Sequence, residues 1–279
     1  MQMKCLWNEF LAIVPPQMRQ NVDNLGKETL QELRLRLAHP PELVCCDGSH
    51  WLPNAVTRED LSFVVHTASQ YSPWASSTVS RGYITAAGGH RIGICGDVVV
   101  KEDKLTGIRS PSSLCLRVAR DFPGIASKVG NIKGNILILG PPGSGKTTLL
   151  RDLIRQISDG GNGSVVVVDE RGELFPAGFY TGRRTDVLTG CSKRQGLDMA
   201  LRTMGPHTIA VDEITQDDDC NALFESCWCG VRILATAHAA SLEDFKHRPV
   251  YRNLWDSRIF DCVLVMRSDK SWYAERIAR

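Results

Sequence analysis

The chain has 279 residues, 43% hydrophobic and 23% charged, which is enough apolar matter for one large globular domain or two ordinary ones. Its 33 basic and 31 acidic residues leave a formal net charge of +2, so bulk charge gives no signal for nucleic acid or acidic lipid. No apolar run approaches the ~18 residues of a membrane helix, and the opening "MQMKCLWNEFLAIVPPQM" is broken by Asn8, Glu9 and two prolines; the sequence reads as cytoplasmic with no cleaved leader.

After a helical opening, "TREDLSFVVHTASQY" predicts a helix with Thr57 as N-cap, Asp60 three residues on and apolar residues at helical spacing. "GYITAAGGHRIGICGDVVV" predicts two strands joined at Gly88-Gly89, and "SLCLRVARD" a third strand ending near Asp121. "FPGIASKVGNIKGN" is poor in bulky residues and holds a Pro-Gly pair, which places a boundary there. The expectation is a smaller α+β N-terminal domain over 1–125 and a second domain over 126–279.

In the second domain the pattern changes. "NILILG", "SVVVVD", "TIAVDE" and "RILATAH" read as apolar strands, and they alternate with the helical "KTTLLRDLIRQI", "QGLDMALRTM" and "DCNALFESCW". Such alternation means an α/β fold whose mainly parallel sheet is covered on both faces. "DCVLVM" and "SWYAERI" add two strands at the sheet edge, while "TGRRTDVLTGCSKRQ" reads as a Gly-rich basic loop. The ten cysteines include Cys45-Cys46 and Cys227-Trp228-Cys229 but no paired CxxC at zinc spacing, so most are expected to be buried thiols.

"GPPGSGKTT", Gly140 to Thr148, fits GxxxxGK followed by Ser or Thr, between a predicted strand and a predicted helix. Gly140, Gly143 and Gly145 let backbone N–H groups close around phosphates, with Pro141, Pro142 and Ser144 in the same loop. Lys146 supplies a point charge for the β- and γ-phosphates, Thr147 a hydroxyl for Mg²⁺, and Thr148 completes the run. The strand end "AVDEIT" offers Asp212 as a second Mg²⁺ group and Glu213 to polarise the attacking water. "VVVVDERGELFP" ends the first strand after the P-loop helix, so Glu170 and Glu173 join the catalytic candidates, against the alternative of a solvated loop in which Arg171 pairs with a neighbouring acid. His238, with Thr236 beside it at the end of the next strand, is placed to sense the γ-phosphate.

This order of motifs resembles the secretion ATPases of type II and type IV systems, a branch of the RecA-like P-loop enzymes. Their acidic box is matched by "DERGE", their Walker B Gly-Glu by Asp212-Glu213, and their Thr-x-His by Thr236-Ala237-His238; Thr215 stands where they usually carry arginine. Over roughly residues 80 to 265, "RGYITAAGGHRIGICG", "GPPGSGKTTLLRDLIR", "RTDVLTGCSKRQGLDMALRTMGPHTIAVDEIT" and "RPVYRNL" are similar to the stage III sporulation protein AA family.

The resemblance implies a RecA-like ATPase that uses ATP and Mg²⁺, assembles as a homo-hexamer and serves membrane channel proteins of the sporulation apparatus. It implies a cytoplasmic location on the mother-cell side, peripheral to the forespore membrane. It also implies arginines reaching the phosphates from the domain before the P-loop. Arg81, Arg91, Arg109, Arg117 and Arg120 lie on predicted β-segments there, and Arg91 and Arg117 are taken as the candidates. Two other functions share the same phosphate-binding residues: a nucleic-acid motor or single-strand binder, disfavoured by the near-neutral charge, and a nucleotide-gated assembly scaffold with negligible turnover.

Overall fold

The structure is a computed structural model that describes residues 3–69, 82–101, 104–130, 132–161 and 163–277. Arg81 and the rest of 70–81 lie outside the described residues. The chain divides into two compact units: Met3–Asp121 with Pro176–Phe179, and Phe122–Phe175 with Tyr180–Arg279.

The N-terminal unit opens with helices α1 (Trp7–Ile13) and α2 (Pro16–Thr29). Pro16 starts α2 at a position where the missing N–H costs nothing. Strands β1 (Leu30–Arg36), β2 (Glu42–Cys45), β3 (Gly48–Trp51), β4 (Tyr83–Thr85), β5 (Arg91–Lys101) and β6 (Lys104–Arg117) form an antiparallel sheet in the order β3-β2-β1-β6-β5-β4. Helix α3 (Arg58–Ser69) begins at the expected Thr57–Asp60 box: the Thr57 N–H donates to Asp60 Oδ2 at 2.9 Å and the Asp60 N–H to Thr57 Oγ1 at 3.2 Å. One sequence expectation in this unit needs correction. The third strand starts nine residues before "SLCLRVARD" and stops at Arg117, short of Asp121, because Ser110 and Ser113 pair across a long hairpin with Asp97 and Cys95. Strands β1 to β3 add to the elements expected from the sequence, and in β1, "LQELRLR", the sheet buries Leu30, Leu33 and Leu35.

The C-terminal unit is built on β7 (Ile136–Gly140), β8 (Val165–Asp169), β9 (Thr185–Thr189), β10 (Thr208–Ile214), β11 (Arg232–His238), β12 (Cys262–Met266) and β13 (Trp272–Arg276), in the order β13-β12-β7-β11-β10-β8-β9. All neighbours are parallel except β12 and β13. Helices α4 (Lys146–Asp159), α5 (Lys193–Thr203), α6 (Asp217–Trp228), α7 (Leu242–His247) and α8 (Pro249–Asp256) fill the connections. Leu137, Val166, Val168 and Val211 join one apolar cluster with Leu197, Leu223 and Phe245. Ile138, Val165, Val167 and Ala210 join another with Leu149 and Leu153. Successive strand residues thus enter opposite layers, which is why these strands read as continuous apolar runs.

The sequence reading placed "RTDVL" in a loop; it is the edge strand β9, half-exposed and parallel to β8. The cysteines are all free, and only Cys45, Cys220 and Cys262 are buried. The expectation that most would be buried fails because Cys46, Cys95 and Cys229 sit on a hairpin turn, an outward strand position and a helix end. Among the described residues no helix is long and apolar enough to cross a membrane.

Candidate active site

The loop between β7 and α4 is folded tightly by its glycines. Gly143 (φ 74°) and Gly145 (φ 97°) occupy the left-handed region, and a Cβ on Gly140 would come within 2.6 Å of Ser144 Oγ. Gly145 is the N-cap of α4, so Lys146 is the first helical residue, with Thr147 and Thr148 completing its first turn. Lys146 Nζ donates to the Pro141 carbonyl at 2.9 Å and to His238 Nδ1 at 3.1 Å, both uncharged acceptors. Burial pulls the ammonium pKa down, against the opposing pull of the Asp212 and Glu213 charges. Ser144 is fully buried and its hydroxyl has no partner, so this loop carries polar capacity that its own fold leaves unused.

Strand β10 brings the acid to the same place. Its pairing with β11 shifts register between Val211 and Ile214, and Glu213 takes φ 52°. In a regular strand Asp212 and Glu213 would point to opposite faces; the bulge and the left-handed residue turn both toward the P-loop. Asp212 Oδ2 accepts from Thr147 Oγ1 at 2.9 Å and Oδ1 from Thr236 Oγ1 at 2.6 Å. The same Thr236 hydroxyl accepts from the Glu213 N–H at 2.8 Å, so one β11 side chain fixes both acidic residues. Glu213 Oε1 lies 2.8 Å from His238 Nε2, and its Oε2 lies 3.1 Å from Arg171.

At the end of β8, Asp169 is 2% exposed and accepts the N–H groups of Glu173, Leu174 and Phe175 at 2.9, 2.8 and 3.2 Å. Burial pushes its pKa up to about 6; the bonds from Phe175 and Leu174 oppose the rise and the nearby Asp212 charge adds to it. Arg151 of α4 donates to the Glu173 and Leu174 carbonyls, so this loop is clamped from both sides. Glu170 pairs with Lys193 at 2.7 Å, and Lys193, 5% exposed, also lies 3.5 Å from Asp219. Glu170 and Glu173 line a narrow cleft with Asp212 and Glu213.

The structure therefore brings Lys146, Thr147, Asp212, Glu213 and His238 together, with Glu170 and Glu173 on the same cleft. Arg91 and Arg117 belong to the N-terminal unit: Arg91 stacks 4.0 Å over the Tyr83 ring, and Arg117 pairs with Glu32 at 3.0 Å. Sequence reasoning did not select Thr236, Lys193 or Asp169 as site residues. Thr236 carried a signal, two positions before His238; Lys193 carried none, because its partners lie 23 and 26 residues away in the chain. The Arg171 pairing expected of a mere solvated loop is present, but its acid is Glu213.

A left-handed glycine loop with an unpartnered buried hydroxyl, a lysine on neutral acceptors and a Thr–Asp pair beside it fits a nucleoside triphosphate with Mg²⁺. Residues 8–274 match the family described as "Sporulation stage III, protein AA". Stage III sporulation protein AA of Bacillus subtilis (strain 168) is 35% identical over 94% of this chain and 92% of its own. Among solved structures, the Legionella pneumophila ATPase DotB (TM-score 0.63, 17% identity) covers 94% of this chain and is matched over 80% of its own. The pilus retraction motor PilT with bound ADP (TM-score 0.62, 14% identity) covers 88% and is matched over 76%. The fold is α/β with a largely parallel sheet of the kind found in P-loop secretion ATPases, preceded by an antiparallel-sheet unit.

Proposed function

Because the chain belongs to the sporulation stage III protein AA family, we propose that it is a Mg²⁺-dependent ATPase that works as a homo-hexameric ring and energises a membrane channel during endospore formation. It would act from the mother-cell cytoplasm, peripheral to the forespore membrane. The observation that carries the reading is the 2.9 Å bond from Thr147 to Asp212, which joins the P-loop helix to an acidic strand end 65 residues away. A glycine-rich turn without a ligand has no need of that link.

In this reading Thr147 and Asp212 hold the metal, which when bound supplies charge neutralisation to the phosphate oxygens. Gly140 to Gly145 wrap the phosphates with backbone N–H groups, and Lys146 leaves His238 to meet the β- and γ-oxygens. Glu213 orients the attacking water and takes its proton, while Arg171 and His238 hold the carboxylate in place. Lys193 fixes Glu170 at the mouth of the cleft. Arg91 and Arg117 are proposed to serve a neighbouring subunit's nucleotide. The chain's near-neutral charge speaks against a nucleic-acid motor.

The test is steady-state phosphate release across a wide range of protein concentration, with Lys146→Ala as the blank. Specific activity should climb with concentration as shared sites form, and single-stranded DNA at low salt should not raise it. Activity independent of concentration would remove the ring. No release at any concentration would overturn the hydrolytic reading in favour of a nucleotide-gated scaffold.

A further inference from the structure

We infer that the β2–β3 hairpin is a zinc site with Cys45, Asp47 and His50 as its three protein ligands. The donor atoms of these residues lie within 4.8 Å of one another, and His50 Nε2 is 3.4 Å from Asp47 Oδ1. The hairpin register explains why. Cys45 pairs with Gly48 and Leu43 with His50, so Cys45 and His50 project from one face as diagonal neighbours. The position beside them carries no side chain, and a Cβ built on Gly48 would meet nothing within 4 Å. Asp47 stands in the two-residue turn and closes the third side of that open space.

Zn–S near 2.3 Å and Zn–N or Zn–O near 2.0 Å place tetrahedral ligand atoms about 3.3–3.8 Å apart, so the donors need to draw in by roughly 1 Å. Asp47 and His50 side chains are 63% and 51% exposed and can make that movement without disturbing packing. One thiolate, one imidazole and one carboxylate form a borderline-soft set that suits Zn²⁺ and not the Mg²⁺ of the nucleotide cleft. Binding releases the Cys45 thiol proton to solvent as the sulfur bonds the metal, and water completes the fourth position. The structural gain is specific: β3 buries none of its four residues, and the ion ties this edge strand to the buried Cys45 of β2.

The experiment is a Co²⁺ titration of the full-length chain after chelator treatment. One equivalent should produce a thiolate-to-cobalt charge-transfer band with tetrahedral visible bands, displaced by Zn²⁺ and untouched by excess Mg²⁺. Cys45→Ser should remove the band. His50→Ala and Asp47→Ala, at exposed positions where folding is not at stake, should each weaken binding by more than about 100-fold, above the roughly 10–100-fold range typical of losing a second-layer contact. Cys46→Ser, at the exposed neighbour, should change nothing. A band of parental affinity in His50→Ala, a band lost in Cys46→Ser, or no band at all overturns the site.

Discussion

His238 Nε2 lies 2.8 Å from Glu213 Oε1 while its Nδ1 is 3.1 Å from Lys146 Nζ. An ammonium can only donate, so Nδ1 accepts and the ring's proton is on Nε2, pointing at the carboxylate. A neutral imidazole thus joins the phosphate-binding lysine to the proposed water-orienting acid. Loss of the ring in His238→Ala should lower the turnover of ATP by about 10²-fold, a typical size for a proton-handling contact, with a smaller change in nucleotide affinity. Phosphate release and equilibrium binding of a fluorescent nucleotide measure the two separately. A parental turnover number would show that Lys146 and Glu213 act without this link.

Glu213 spends a left-handed conformation, worth roughly 1–3 kcal/mol, to face the cleft. Gln at this position keeps the shape and the Arg171 contact but accepts no proton. Glu213→Gln should therefore bind ATP as the parent does and hydrolyse it about 10²–10⁴ times more slowly. Single-turnover assays on preloaded protein decide this, and hydrolysis at the parental rate would remove Glu213 from its role.

Asp169 should make the C-terminal unit firmer in mild acid. Its folded pKa of about 6 lies above its ordinary 3.8, so its contribution is complete below pH 3.8 and is lost as pH rises through 6. Two pK units correspond to about 3 kcal/mol. In urea unfolding, the stability difference between the parent and Asp169→Asn should grow by about that much, in the parent's favour, from pH 7 to pH 4. A pH-independent difference would mean that the backbone N–H groups of 173–175 hold the carboxylate ionised throughout.

His90 gives the N-terminal unit the opposite response. It is fully buried, with Nε2 2.9 Å from the Leu6 carbonyl and Nδ1 accepting the Ala119 N–H at 3.1 Å, and burial pulls its pKa below the ordinary 6.5. A depressed folded pKa means the contribution is complete above pH 6.5 and is lost as pH falls. Amide hydrogen exchange between pH 7 and 5 should show strands β4 to β6 losing protection first. Equal loss in both units would contradict the assignment.

Gly196 lets α5 lie directly on β8, since a Cβ there would run into the Val168 side chain. Gly196→Ala should cost about 1–3 kcal/mol by overpacking. It should also loosen Glu170, because Lys193 is carried one turn away on the same helix. A thermal melt reads the first effect, and an unchanged melting temperature would show that the helix shifts freely.

The amino-acid sequence determined whatever is encoded by neighbours along the chain. The nine residues from Gly140 to Thr148 are contiguous, so the P-loop was legible outright, as were the apolar runs within β7, β8, β10 and β11 that mark a two-faced parallel sheet. Asp212 and Glu213 were legible as an acidic strand end, and Thr57 and Asp60 as a helix start. Tertiary structure alone decided which groups meet. Nothing local shows that β9 would pair as an edge strand, since its half-exposed residues owe their conformation to β8. The Lys193–Glu170 pair, the Thr236 hydroxyl shared between Asp212 and the Glu213 backbone, and the bulge that turns Asp212 and Glu213 to one side all arise from contacts between distant segments. Cys45, Asp47 and His50 lie close in sequence, yet only the hairpin register puts them on one face: side-chain direction in a strand is fixed by pairing, and pairing is not local.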